Sequence, residues 1–234
     1  MYKSILVIPD LHCPVMHQDA FKFIAWAKKE FRPDRVICLG DELDYHCLSF
    51  HETEMECPYN ESQEFETAKR YFSNLYDLFD RVDFLESNHG SMVYRKAKSC
   101  RIPRQFMYEY KDVLAAPKGY NWHLNLVVQA SNGEHIQFEH GHRSPNTALR
   151  KSKADSVSIV QGHHHGSFEI QYWQNYRKKY FGMTPGCLID DDKYAFLYNK
   201  TNIGRPMLGL GWIYEGIPHL IPMVLDENKR WRGL

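Results

Sequence analysis

KSILVIPDLH (residues 3–12) carries four consecutive apolar residues, Ile5 to Ile8, and then turns to an acid and a histidine. An apolar run that short, closed by polar residues, reads as a buried strand. Outward from it, QDAFKFIAWAKKEF (18–31) sets Phe21, Ile24, Ala27 and Phe31 at helical spacing, so a helix packs back on the strand. RVICLGD (35–41) is a second buried strand ending at a glycine. Residues 61–79 place Phe65, Ala68, Phe72, Leu75 and Phe79 on one face of a second helix, and RVDFLESNHG (81–90) is a third strand. Strand–helix–strand–helix–strand with short connections predicts right-handed crossovers and an at least partly parallel sheet.

Beyond residue 90 the character changes. Residues 91–118 are basic and aromatic, with helical rather than strand character. Short alternating runs follow: WHLNLVVQA (122–130), EHIQFEHG (134–141), SVSIVQGH (156–163) and FEIQYWQ (168–174). GCLIDDDKYAFLYN (186–199), LGWIYEG (210–216) and HLIPMVL (219–225) read as closing strands joined by hairpin turns. The expected product is two sheets face to face with helices outside, in one domain spanning 1–234 and carrying a basic, helical insertion at 91–118.

Composition narrows the class. At 234 residues the chain can bury one sizeable core rather than two. Its 29 basic and 29 acidic side chains cancel, so net charge gives no general pull toward nucleic acid or anionic membrane. Four apolar residues near the start are too few for a secretory signal, and no run reaches the ~18 a membrane span needs. Six cysteines without a CxxC pair predict reduced thiols in a cytoplasm rather than a disulfide framework or zinc ribbon. The 13 histidines, three of them consecutive at 163–165, are the unusual feature.

Five segments share one arrangement: an apolar strand, a turn, then a candidate metal ligand. They are Asp10-Leu11-His12, Gly40-Asp41, Asn88-His89, His140, and Gly162-His163-His164-His165. Ligands of open α/β sheets gather outside the carboxyl ends of the strands, so five such turns on neighbouring strands converge on one crevice. In extended chain, residues two apart point the same way. Asp10 with His12, and His163 with His165, can therefore each address one centre, with His164 facing elsewhere. Two divalent cations about 3.5–4 Å apart clamp the attacking and leaving oxygens of a displacement at phosphorus, and a carboxylate between them, by position Asp41, offsets their repulsion. Mixed imidazole and carboxylate donors suit Mn, Fe, Zn or Ni better than Ca.

With these blocks in order, the sequence resembles the calcineurin-like metallophosphoesterase family, which is marked by D-x-H, G-D-x-x-D, G-N-H-[DE], a lone His and G-H-x-H. Here they read D-L-H at 10–12, G-D-E-L-D at 40–44, S-N-H-G at 87–90, H-G-H at 140–142 and G-H-H-H at 162–165. TPGCLIDDD (184–192) and the strands after it are similar to the bacterial and phage-type branch. The resemblance implies a metallo-dependent phosphatase fold, a four-layer α/β/β/α sandwich with two mixed sheets. It assigns one metal to Asp10, His12, Asp41 and His165 and a second to Asp41, Asn88, His140 and His163, with Mn2+ first and Fe, Zn or Ni after it. It further implies in-line attack on a phosphate ester by a metal-bridging hydroxide. His89 would stabilise the phosphoryl oxygens or protonate the leaving group, with Asp44 orienting it.

Two residues depart from the pattern: Ser87 replaces a glycine, and Gly90 replaces an acid whose loss would loosen His89. The D-R-G of protein Ser/Thr phosphatases is also absent, since Tyr45-His46 follow Asp44. Arg95, Lys96, Lys98, Arg101 and Arg104 follow the His89 turn directly. They read first as a solvated helix face and second as a rim whose Arg95, with Arg143 and His142, grips flanking phosphates. His17, His46, His51, His123, His135 and His219 read as structural, and Cys13 as packing. The expected activity is a phosphodiesterase on nucleic acid or a nucleotide. The alternatives are a phosphomonoesterase on a small phosphorylated metabolite or nucleotide, and a low-activity binding module. Expected partners are a phosphate-ester substrate, nucleic acid and a second copy of the chain as a homodimer, with no membrane.

Overall fold

A computed structural model describes residues 1–50, 59–142, 147–193 and 205–233. The opening run forms β1 (Ser4–Ile8), buried at all five positions. Alternation along the strand splits its side chains: Ile5 and Val7 enter a core between two sheets, while Leu6 and Ile8 enter a second core under helices. In chain order α1 (Ala20–Phe31), β2 (Arg35–Cys38), α2 (Glu61–Phe72), α3 (Asn74–Leu78) and β3 (Val82–Leu85) follow. Next come α4 (Met92–Ser99), α5 (Tyr110–Val113), β4 (Tyr120–His123), β5 (Leu126–Gln129) and β6 (His135–Glu139). The described chain then completes α6 (Ala148–Asp155), β7 (Ser158–Gln161), β8 (Phe168–Gln174), β9 (Lys179–Pro185), β10 (Gly209–Tyr214) and β11 (Ile217–Pro222).

The first sheet runs β11-β10-β1-β2-β3-β4, with β1 to β4 parallel and the β10–β11 hairpin antiparallel. Its outer face packs on Phe23, Ile24 and Ala27 of α1, Ala68 and Phe72 of α2, and Leu75 of α3. The second sheet runs β5-β6-β7-β9-β8, with β6, β7 and β9 parallel between antiparallel edges. Val128, Ile136, Phe138, Val160 and Met183 bring its inner face against the first sheet. α6 covers the far side, where Trp173 Nε1 donates to Ser152 Oγ at 2.8 Å. The layers are therefore helices, mixed sheet, mixed sheet, helix, as the α/β/β/α expectation has it. No helix among the described residues is long and apolar enough to cross a membrane.

Four details differ from the sequence expectation. The run 122–130 is not one strand: β4 ends the first sheet, the chain crosses at Leu124-Asn125, and β5 begins the second. The helix over 61–79 breaks at Ser73, whose hydroxyl donates back to the Arg70 carbonyl; the apolar spacing is kept across the break, so both pieces face the same core. β9 and α6 carry no sequence expectation at all. Finally, 186–193 forms no strand beyond isolated bridges of Cys187 and Ile189, and the remainder of the 186–199 run lies outside the described residues. The 91–118 segment contains α4, a 3-10 turn at Arg104–Phe106 and α5, joined by irregular chain.

The chain's far end closes on its beginning. Asp19, just before α1, accepts from Arg230 Nε at 2.7 Å and Nη2 at 2.6 Å and from Trp231 N–H at 3.2 Å. The Trp231 ring lies 5.4 Å from Phe23 and 5.7 Å from Trp26.

Candidate metal centre

The turns after β1 and β2 are stitched together before any side chain is considered. His12 N–H donates to the Asp41 carbonyl at 2.8 Å, Cys13 N–H to Glu42 at 2.9 Å, and Asp44 N–H to Cys13 at 2.9 Å. This lateral pairing forces His12 and Asp41 into left-handed backbone, φ 50° and 46°, and His163 adopts φ 69° beyond β7. Such conformations are costly for residues with a side chain, and here they aim the side chains at one point. Two glycines make the room. A Cβ on Gly40, itself at φ 100°, would fall 2.7 Å from both Leu85 O and Ser87 Cβ, and one on Gly162 would fall 2.6 Å from Asp10 Oδ1.

Asp10, His12, Asp41 and His165 form one cluster of donor atoms, and Asp41, His140 and His163 another, with Asp41 in both. His165 Nε2 lies 3.1 Å from Asp10 Oδ2 and 3.2 Å from His12 Nε2. His140 Nε2 lies 2.8 Å from Asn88 Oδ1 and 3.2 Å from Asp41 Oδ2. Asp10 also accepts from His163 N–H at 2.8 Å and Asp41 from His89 N–H at 3.1 Å, which ties the later turns to the first two. His163 and His165 therefore converge from either side of the triplet, and His164 joins neither cluster.

The tautomers are set from behind. His140 Nδ1–H donates to the Leu39 carbonyl at 2.8 Å, and His12 Nδ1–H to Asp44 Oδ1 at 2.5 Å. Both neutral rings then turn an Nε2 lone pair toward Asp41 Oδ2, which lies 3.5 Å from His12 and 3.2 Å from His140. Lone pairs facing a carboxylate oxygen need positive charge between them. Asp10 Oδ1 and Asp41 Oδ2 are buried acceptors that take no hydrogen bond of normal geometry among the described residues. With protons as the only cations, burial works against charge on His12, but Asp41 and Asp44 raise its pKa to about 10; burial likewise opposes charge on His140, and Asp41 raises it to about 9. Burial would lift the Asp41 carboxyl, yet His140, His89 and His12 hold it well below the usual carboxylate range. Burial and the neighbouring His140 instead lower His163 to about 4, which keeps it a neutral donor. The donor set fits divalent cations: imidazoles, carboxylates and one amide oxygen around a shared carboxylate.

His89 sits beside this group, its ring 4.6 Å from that of His12. Its Nδ1 is hydrogen-bonded to the main-chain carbonyl of Asp44, whose Oδ1 lies 3.8 Å away. Asp44 thus meets His89 through its backbone and spends its carboxylate on His12, a division the sequence did not suggest. The Leu39 carbonyl and the backbone of Asp44 are contributions with no side-chain signal to find. His142 lies beside His140, rings 5.3 Å apart. Arg95 Nη2 donates to the Asn88 carbonyl at 2.8 Å, holding the ligand turn itself. Arg143 lies outside the described residues.

Residues 3–185 match the model of the calcineurin-like phosphoesterase family. The chain belongs to that family. Among solved structures it is similar to YfcE, a phosphoesterase from E. coli, with 13% identity over 97% of this chain and 95% of that one and a TM-score of 0.52. It is also similar to Vps29 from Chaetomium thermophilum (15% identity, 97% and 92% covered, TM-score 0.47) and to Vps29 from Entamoeba histolytica (14%, 91% and 87%, TM-score 0.44). No curated protein matches the sequence significantly. Against the family pattern, Ser87 and Gly90 prove to be one feature. Ser87 Oγ accepts from Gly90 N–H at 3.0 Å, and a Cβ on residue 90 would press on that oxygen at 3.1 Å. The missing acid does not leave His89 loose, because Asp44 and Asp41 hold its ring and its backbone.

Proposed function

We propose that this chain is a phosphoesterase working with two divalent cations, one held by Asp10, His12, Asp41 and His165 and the other by Asp41, Asn88, His140 and His163. The observation that carries the proposal is the shared, buried Asp41 carboxylate, faced by imidazole lone pairs on both sides. When bound, the cations supply Lewis acidity toward phosphoryl oxygens and a means of activating water near neutral pH, with Mn2+ the first metal to test. His89, fixed at Nδ1 by the Asp44 carbonyl, exchanges its proton at Nε2 with the leaving-group oxygen. Asp44 positions both His12 and His89.

Phosphodiesters of nucleic acids or nucleotides are the proposed substrates. Support comes from the exposed Lys98 in α4 and Arg101 just beyond its end, which follow the His89 turn and suit phosphates flanking the scissile one, whereas Arg104 is paired with Glu109. The five described cysteines are free thiols, which fits a reducing, cytoplasmic setting. The test is hydrolysis of bis(p-nitrophenyl) phosphate against p-nitrophenyl phosphate under Mn2+, Ni2+, Zn2+ and Mg2+. The proposal expects turnover of both, faster for the diester. A preference for the monoester reassigns the substrate class, and no turnover of either by metal-loaded protein refutes the enzyme in favour of a binding module.

A further inference from the structure

A cleft of about 850 Å³ opens beside the metal centre, between the ends of β3 and β4 and the 91–118 segment. Its inner wall is the back of the two ligand turns: Glu42 follows Asp41, and Ser87 and Gly90 flank Asn88-His89. Its floor is rigid. Trp122 stacks on Phe84 with centroids 4.6 Å apart, takes the Tyr110 ring edge-on at 5.5 Å, and donates Nε1–H to the buried Glu42 Oε1 at 2.9 Å. Its lip is the opposite, with Phe106 77% and Tyr108 83% exposed. Large aromatics left in water at the mouth of a cleft this size mark a ligand site rather than a folding requirement.

From this placement we infer that the cleft receives a planar heteroaromatic group carrying N–H donors, joined to the phosphate that the metal centre binds, as in a nucleoside phosphate. The inference rests on the phosphoesterase reading and adds the substrate's organic half. Aromatic faces supply stacking, which suits any flat ring. Acceptors come from Glu42 on the floor, whose Oε2 is buried and takes no hydrogen bond among the described residues, and from Glu86 on the wall. N–H edges are therefore favoured there, with Arg104 and Lys111 also on the lining. Ser87, Gly90 and Ser91, which bracket the Asn88-His89 turn, line the cleft, so only that turn separates it from the metal centre and the substituent of a phosphate bound there need pass no farther than the turn.

The test is competition of adenosine 5′-monophosphate and ribose 5-phosphate with inorganic phosphate on Mn2+-loaded protein, followed by titration calorimetry. Stacking of one base predicts about tenfold tighter binding of the nucleotide. In the Phe106→Ala/Tyr108→Ala variant, whose changes lie in solvent, that ratio falls toward one; Glu42→Gln reports the floor separately by weakening nucleotide more than sugar phosphate. Equal binding of the two ligands by the wild type overturns the cleft assignment and leaves the phosphoesterase reading standing. Binding of neither ligand nor of phosphate overturns both.

Discussion

The Asp44 carboxylate offers a graded test of how the metal ligands are held. Asp44 Oδ1 and His12 Nδ1 are 2.5 Å apart with both side chains at most 1% exposed, so the bond is charge-assisted and shielded from water. Such bonds contribute about 1.5–3 kcal/mol, and outer partners of metal-binding histidines typically govern 10- to 100-fold in affinity. Asp44→Asn keeps an acceptor of the same shape without the charge and should weaken one cation about tenfold, or about 1.4 kcal/mol. Asp44→Ala removes the acceptor, frees the ring to rotate, and should weaken the same cation about 100-fold. His140 is oriented by Leu39 instead, so the second cation should stay within about threefold. Titration calorimetry of Mn2+ into metal-free protein resolves the two sites, and His140→Ala, which strips the second one, identifies which is which. Equal loss at both sites, or at neither, would refute the claim that Asp44 acts through His12.

Three further outcomes follow from the same geometry. His89→Ala should keep both cations while losing most phosphoesterase activity, which metal analysis and rates together check; full activity would remove His89 from proton transfer. Arg230 holds the Asp19 carboxyl well below the usual range, so its stabilisation is present above about pH 4 and fades as pH falls toward the native pKa. With Arg230 half-exposed, that amounts to about 1 kcal/mol, and urea unfolding from pH 6 to pH 2.5 should show the wild type losing that much more than Asp19→Asn; parallel profiles would count against the tether. Gly90→Ala should destabilise by about 1 kcal/mol through its contact with Ser87 Oγ, and thermal melts should show Ser87→Gly relieving much of that loss.

The candidate site was legible because each block couples a strand signal to a turn residue, and both are local. Ile5 to Ile8 declare a buried strand whatever lies around them, and Asp10 and His12 stand where that strand must end. Partnership across the fold was less legible. WHLNLVVQA keeps one apolar pattern while the backbone passes from one sheet to the other, because alternation records a strand's faces and not its neighbours. β9 was hidden by Gly182, which interrupts the apolar run to let α6 approach: a Cβ there would fall 2.4 Å from Leu149 N. α6 was hidden by its own polarity, since only Ala148 and Ser152 of its eight residues are buried. Asp44 showed the limit most clearly. Its spacing placed it at the site, but nothing in the order of residues assigned its carboxylate to His12 and its carbonyl to His89.

The account stands on Asp41 serving two cations at once. Metal content of purified protein, measured by mass spectrometry after equilibration with Mn2+, addresses this directly. The wild type should hold two ions per chain, and Asp41→Asn should lose both, since it removes the negative charge that both share and leaves one weak amide oxygen where two carboxylate oxygens could serve. Two ions retained by Asp41→Asn would contradict the shared-carboxylate centre.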